Sequence, residues 1–248
     1  MRILVTFAVN AEFAPWRKLR KFRRNSCSDS GASLFVTAIG DSRVEVLLTG
    51  IGRVACEESL AKARDPKPDV VISSGLAGAL SDRLKPGDIV APIKARTLKN
   101  DAGADADRAM WDRAIRQGAL SIENLVTVLQ IADTASEKSR LSFFGEAVDM
   151  ESAIIMSCFV AEGVPVVAVR AISDAADEDL PIDFDRCLTP QGTVRKMSLV
   201  NAIVRRPGSL PNLIRFGRQS NLAAQKLVKF LDDFVVSLAA PTERTAVA

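Results

Sequence analysis

The chain has 248 residues, 48% of them apolar and 25% charged, with a net charge of +3, which fits a soluble globule and is too small a charge to argue for nucleic acid. It contains neither histidine nor tyrosine. That excludes a Ser-His-Asp triad, a Cys-His pair and a His-ligated metal, and leaves acid–base chemistry to carboxylates, lysine, cysteine or water.

Strand-like and helical runs alternate along the chain. "RILVTFAV" predicts a first strand; Asn10 and Glu12 interrupt it too soon for a signal peptide. Residues 16–24, "WRKLRKFRR", carry six basic side chains and two aromatics, either a solvated helix face or a contact for anionic lipid or phosphate. "SLFVTAIG" and "RVEVLLTGIG" read as a hairpin turning at Gly40-Asp41-Ser42. Residues 53–64 predict an amphipathic helix, and "PDVVISSGLAGAL" a buried strand running into a glycine-bearing loop. "GDIVAPIKAR" and "ENLVTVLQIA" predict further strands, with "DADRAMWDRAIRQG" helical between them. Residues 151–162 predict a helix stopped by Gly163, followed by the strand "VPVVAVRAIS", which holds one charge. Beyond about 179 the pattern becomes loop-rich, then predicts two helices broken by "RRPGSLP" and a frayed tail at 241–248.

Near-continuous Val/Ile strands alternating with helices call for a sheet covered on both faces, an α/β three-layer sandwich. One domain over residues 1–240 is the expectation, with the segment from about 179 as an extension. No apolar run approaches the roughly 20 residues of a membrane span. Cys27, Cys56, Cys158 and Cys187 are scattered without a CxxC pair, as expected of a reduced cytoplasmic protein.

In such sheets ligands sit beyond the strand ends, where this chain's unusual polar residues fall. Asp174 ends a buried strand; it is either a helix N-cap for "AADED" or an acid with chemistry to do. Glu151 opens an apolar helix, "SAIIMSCFVA", either as a first-turn acid favoured by the helix dipole or as a buried group in use. Glu12 is either a surface acid or a third member of the same rim. "TGIGR" at 49–53 and "SSGLAGAL" supply glycines for tight turns or close backbone approach, and neither is GxGxxG. "DAGADAD" lacks the glutamate that a calcium loop needs, so no metal is expected.

"AVDMES" followed by "VPVVAVRAISDAAD" closely resembles the hallmark segments of the nucleoside phosphorylase/nucleosidase superfamily, particularly its methylthioadenosine/S-adenosylhomocysteine nucleosidase branch. "TFAVNAEFAPW", "TGIGRVAC" and "KPDVVISSGLAGAL…LKPGDIV" line up with it in order, over residues 1 to 178. The "RRPGSLPNLIRFGRQ" stretch resembles the tail of hopanoid-associated phosphorylases, assigned removal of adenine from adenosylhopane.

The resemblance implies a cofactor-free enzyme that cleaves the N-glycosidic bond of a purine nucleoside. Asp174, placed by Ser173, would protonate the base at N7. Met150 and Glu151 would grip the ribose, and Glu12 would activate water. Residues around Ile131 and Asp133 would lie against the base, and Gly75 and Leu76 against the substrate. Phosphate as co-substrate would fall near Gly52 and Arg53, although Ser73 and Leu76 depart from the usual phosphate loop. A lipid-linked nucleoside, peripheral membrane contact through 16–24 and 205–218, and a homo-oligomer are further expectations. A small-thioether nucleosidase, a general purine nucleoside phosphorylase and a non-catalytic nucleoside-binding module are the alternatives.

Overall fold

The structure, a computed structural model, describes residues 1–25, 33–63, 65–98, 102–183, 189 and 210–239. In chain order the elements are β1 (Arg2–Phe7), α1 (Asn10–Leu19), β2 (Arg23–Arg24), β3 (Ser33–Ile39), β4 (Ser42–Leu48), α2 (Arg53–Ala63), β5 (Val70–Ala79), β6 (Ile89–Thr97), β7 (Gly103–Asp105), α3 (Arg108–Arg116), β8 (Leu120–Thr127), α4 (Ala135–Leu141), β9 (Ala147–Asp149), α5 (Ser152–Ala161), β10 (Val166–Asp174) and α6 (Leu210–Ala239). Cys27, Cys187, the tail and most of the "RRPGSLP" break fall outside the described residues.

Among the described residues ten strands form one mixed sheet in the order β10-β6-β8-β9-β5-β1-β4-β3-β2, with β7 on the edge of β6. A pairing of β10 with β5 closes the β5-β10-β6-β8-β9 portion into a ring. The β4-β1-β5-β10 run is parallel, and the ring closes through antiparallel contacts of β10 with β6 and of β5 with β9.

Side-chain alternation along the strands builds the two outer layers. Ile3, Val5 and Phe7 of β1 and Val167, Val169 and Ala171 of β10 share a core with Phe13, Trp16, Phe230 and Phe234 of α1 and α6. The other parity, Leu4, Val166, Ala168 and Ile172, packs with Leu60, Met156 and Phe159 of α2 and α5. The result is the expected three-layer arrangement.

Several local expectations give way to packing. The "SSGLAGAL" segment is strand to Ala79 rather than loop. Its glycines are there because neighbours crowd the backbone: a Cβ on Gly75 would fall 2.2 Å from Arg170 Nη1, and one on Gly78 3.1 Å from Asp174 Oδ2. The helix α4 sits in "ASEKSRL", a polar run with no apolar stripe to predict it, capped by Thr134 accepting from the Glu137 N–H at 3.2 Å.

The basic stretch at 16–24 is not one charged helix face. Trp16 is fully buried, and Arg23-Arg24 form β2. Arg20 grips Asp232 of α6 with Nε and Nη2, both at 2.8 Å, and Trp16 Nε1 donates to the same carboxylate at 2.9 Å. These groups fasten α6 instead of facing outward. No described helix is long and apolar enough to cross a membrane.

Along the second half of α6, Ala223, Ala224, Leu227, Val228, Phe230, Leu231, Phe234 and Val235 recur at helical spacing and are buried, so packing holds that half on the sheet. Asp232→Ala should therefore lower stability by about 1–3 kcal/mol, since it strips one charge-assisted pair and leaves an indole N–H without its acceptor. A thermal melt should fall by roughly 2–4 °C per kcal/mol for a chain of this size.

Candidate active site

Beyond the ends of β1, β9 and β10, and against the C-terminal part of β5, lies a cavity of about 480 Å³. That is within the range of small-molecule sites. Glu12, Ile51, Leu76, Ile131, Met150, Glu151, Ser173 and Asp174 all line it, and Phe216, Ser220 and Asn221 of α6 form another wall.

Behind its lining lies Arg170, the charge in the interior of β10. Arg170 is wholly buried, and Nη2 lies 2.7 Å from Asp149 Oδ2. Arg170 also donates to Ser152 Oγ from Nε at 3.1 Å and Nη2 at 2.8 Å, and to Ser73 Oγ at 3.2 Å. Asp149 Oδ1 accepts from Thr127 Oγ1 at 2.7 Å, and Oδ2 accepts the Ser152 N–H at 3.0 Å. That last bond satisfies an orphan donor at the start of α5. Asp149 therefore caps the helix, and the neighbouring Glu151, which makes no cap bond, is free to face the cavity.

Glu151 is held by one backbone group: its Oε1 accepts the Gly52 N–H at 2.7 Å. Gly52 presents that N–H from a φ of +84°, a conformation that favours glycine. Burial pushes the Glu151 carboxyl up to about 8; Asp149 and Glu12 add to the rise, and Arg170 and the Gly52 amide oppose it. Glu12 accepts from three backbone amides, Leu76 at 2.9 Å on Oε1 and Ala8 at 3.0 Å and Val9 at 3.3 Å on Oε2. Its pKa is also raised by burial, against the pull of the Leu76 amide and Arg170.

Asp174 closes the other end. No helix follows it, so the N-cap explanation fails. Ser173 Oγ donates to Asp174 Oδ1 at 2.5 Å, and Lys138 Nζ lies 2.5 Å from Oδ2. Lys138 is fully buried and also donates to the carbonyls of Ala175 at 2.8 Å and Glu178 at 2.7 Å.

Four expected residues, Gly52, Arg53, Gly75 and Asp133, are not part of this lining. Gly75 lies behind the wall, where its missing side chain makes room for Arg170. The Asp133 carbonyl accepts the Leu180 N–H at 2.7 Å, and the residue is not part of the wall. Arg53, expected as a cation for phosphate, is half-exposed, pairs with Glu57 one helical turn on at 2.8 Å, and lines an adjoining cavity of about 1030 Å³ that shares Val128, Ile131 and Ala132 with the first. The amides of Gly52 and Leu76 are already taken by Glu151 and Glu12. Burial and the nearby Glu151 raise the Cys56 thiol, which removes it as a nucleophile. Among the described residues no group of His, Cys, Asp and Glu could hold a metal.

Sequence reasoning missed Arg170, Asp149 and Lys138. The first carries a signal, a single charge inside a buried strand that requires a partner. Lys138, in a polar-looking helix, carries none.

A family model described as the phosphorylase superfamily matches residues 2–205, and the chain belongs to that superfamily. Among solved structures, the 5′-methylthioadenosine/S-adenosylhomocysteine nucleosidase of Campylobacter jejuni is similar at a TM-score of 0.73 and 16% identity, covering 96% of this chain and 99% of that one. The futalosine hydrolase of Helicobacter pylori matches at 0.73 and 19% identity, over 96% of this chain and 98% of that one. The methylthioadenosine/S-adenosylhomocysteine nucleosidase of Neisseria meningitidis, in complex with methylthio-immucillin-A, matches at 0.70 and 22%, over 95% and 99%. At these identities the likeness is one of fold.

The raised Glu151 carboxyl has a consequence for stability. With its folded pKa near 8 and its ordinary value at 4.5, the folded state holds a proton that the unfolded state has released across that window. Stability from this group is therefore lost as pH rises from 4.5 to 8. Glu151→Gln should melt higher than the parent at pH 9, with the difference shrinking toward pH 5. An equal difference at both pH values would contradict the assignment.

Proposed function

We propose that this chain hydrolyses the N-glycosidic bond of an adenine nucleoside. The observation that carries the reading is the single cavity bounded at one end by Asp174 and Ser173 and at the other by Met150, Glu151 and Glu12. Cleaving this bond leaves positive charge on the sugar and negative charge on the base. A proton donor at the base and anions at the sugar are what the transition state requires, and neither needs histidine.

In this reading Asp174 delivers a proton to N7 of the base. Glu151 accepts hydrogen bonds from the ribose hydroxyls, and Met150 packs against the sugar. Glu12 takes a proton from water as the water oxygen bonds to C1′ and the C1′–N9 bond breaks. The raised pKa values of Glu12 and Glu151 suit groups that exchange protons or hydrogen bonds with a substrate near neutral pH. Water is favoured over phosphate because the Gly52 and Leu76 amides are occupied by the chain's own carboxylates and Arg53 turns away.

The 5′ substituent is assigned as a hopane-type lipid from the "RRPGSLP" resemblance, and the exposed Leu210 and Ile214 on the stretch of α6 leading to Phe216 suit an apolar tail leaving the cavity. The fold likeness to methylthioadenosine/S-adenosylhomocysteine nucleosidases favours a second reading, the same chemistry on a small thioether.

Adenine release from adenosylhopane and from methylthioadenosine, each with and without phosphate, tests both. The expected result is phosphate-independent release of free sugar, faster from adenosylhopane; turnover of methylthioadenosine alone would remove the lipid. Asp174→Asn should cut kcat by about 10²–10⁴-fold. A parent protein that binds adenine nucleosides without turnover would instead indicate a binding module.

A further inference from the structure

We propose that Lys138 is a positioning residue that also holds the proton Asp174 passes to the leaving base, so that the general acid is a lysine–aspartate pair. This rests on the proposed function. It starts from a side chain the reaction does not otherwise use. Lys138 is 0% exposed, in a helix whose sequence gives no apolar reason for burial, and a buried ammonium is costly unless every proton is placed.

Here every proton is placed. Nζ reaches Asp174 Oδ2 at 2.5 Å, the Ala175 carbonyl at 2.8 Å and the Glu178 carbonyl at 2.7 Å. Three acceptors match the three donors of an ammonium, and the contact to Oδ2 is the one along which a proton can pass to Asp174. Asp174 meets a donor on each oxygen, Lys138 on Oδ2 and the Ser173 hydroxyl on Oδ1. In the proposed pair both carboxylate oxygens accept and the proton stands on Nζ. An ionised Asp174 has no proton to give, so the one the base needs lies one short contact away, on Nζ.

The transfer balances. An N–H bond of Lys138 breaks as an O–H bond forms on Asp174; that O–H then breaks as N7–H forms and the glycosidic electron pair leaves with the base. Lys138, now neutral, keeps two donors for its two carbonyls. Glu12 gains one proton from the attacking water, and exchange with solvent after product release returns one to Lys138. The other charges around the pair are otherwise engaged. Glu178 pairs with Arg215 at 2.7 Å, Asp179 accepts the Ala135 N–H at 2.7 Å, and Glu137 Oε2 accepts from Thr134 Oγ1 at 3.3 Å.

The test is single-turnover adenine release between pH 5 and 10, using whichever of methylthioadenosine and adenosylhopane the parent cleaves faster. The parent should hold its rate into alkaline pH. Lys138→Met leaves Asp174 to carry the proton alone, so its rate should fall about 100-fold by pH 8 and recover toward pH 5. Lys138→Arg keeps a cation and its donors but does not release a proton, so it should fold normally and stay about 100-fold slow throughout. A Lys138→Arg protein at the parent's rate, or a Lys138→Met protein with the parent's pH profile, overturns the proposal. Lys138→Met/Asp174→Asn, which removes both charges, separates loss of fold from loss of proton. A parent that releases no adenine fails the functional reading instead. The pair is then judged by infrared difference spectra against Asp174→Asn: a carboxylate band at neutral pH that becomes a carboxylic-acid band in Lys138→Met supports it, and a carboxylic-acid band in the parent overturns it.

Discussion

Charge balance at one end of the sheet governs the arrangement. Four buried carboxylates, Glu12, Asp149, Glu151 and Asp174, meet two buried cations, Arg170 and Lys138. With all of them ionised the cluster would hold two surplus negative charges where an uncompensated buried charge costs about 3–5 kcal/mol. The pairing is specific: Arg170 goes to Asp149 and Lys138 to Asp174. Glu12 and Glu151 are left with backbone amides, and both have their carboxyls pushed upward, first by burial. Those two face the cavity. In the proposed reaction the missing cation is the sugar itself, positive only while the bond is breaking, so the surplus favours the transition state over the ground state.

The fold exists around this cluster in identifiable ways. Glycines at 75 and 78 thin β5 so that Arg170 and Asp174 of the adjoining β10 can lie against it. Asp149 serves as helix cap, salt-bridge partner and acceptor for Thr127 together, which leaves Glu151 unneeded by the helix it precedes. The clamp of Trp16 and Arg20 on Asp232 helps seat the far half of α6, whose near half closes the cavity. Sequence, packing and site are linked through these few positions.

Much of this was legible in the sequence. The three-layer architecture follows from Val/Ile strands alternating with helices. Glu12, Glu151, Ser173 and Asp174 could be singled out because polar residues at strand ends stand out against apolar runs, Met150 only through the resemblance of its segment, and the structure brings all five to one cavity. The ring closure of the sheet was not legible, since a pairing between β5 and β10 leaves no local pattern. The basic stretch at 16–24 misled only in part: Arg17, Lys18, Lys21, Arg23 and Arg24 are exposed, but composition cannot say that Trp16 points inward or that Arg20 has a carboxylate waiting more than 200 residues away. Arg53 misled in the same way: the glycine turn before it suggested phosphate, while its own helix offered Glu57. Lys138 was invisible, because a lysine in a polar seven-residue helix reads as solvated until the loop at 175–178 is folded over it.

One crystal structure would judge the account most directly: the Asp174→Asn protein soaked with methylthioadenosine or another intact adenine nucleoside. The expected density has the purine N7 edge within hydrogen-bond reach of residue 174, and the ribose hydroxyls on Glu151 above Met150. A water should stand between Glu12 and C1′. A nucleoside bound elsewhere, or one whose sugar and base cannot touch residues 151 and 174 together, would contradict it.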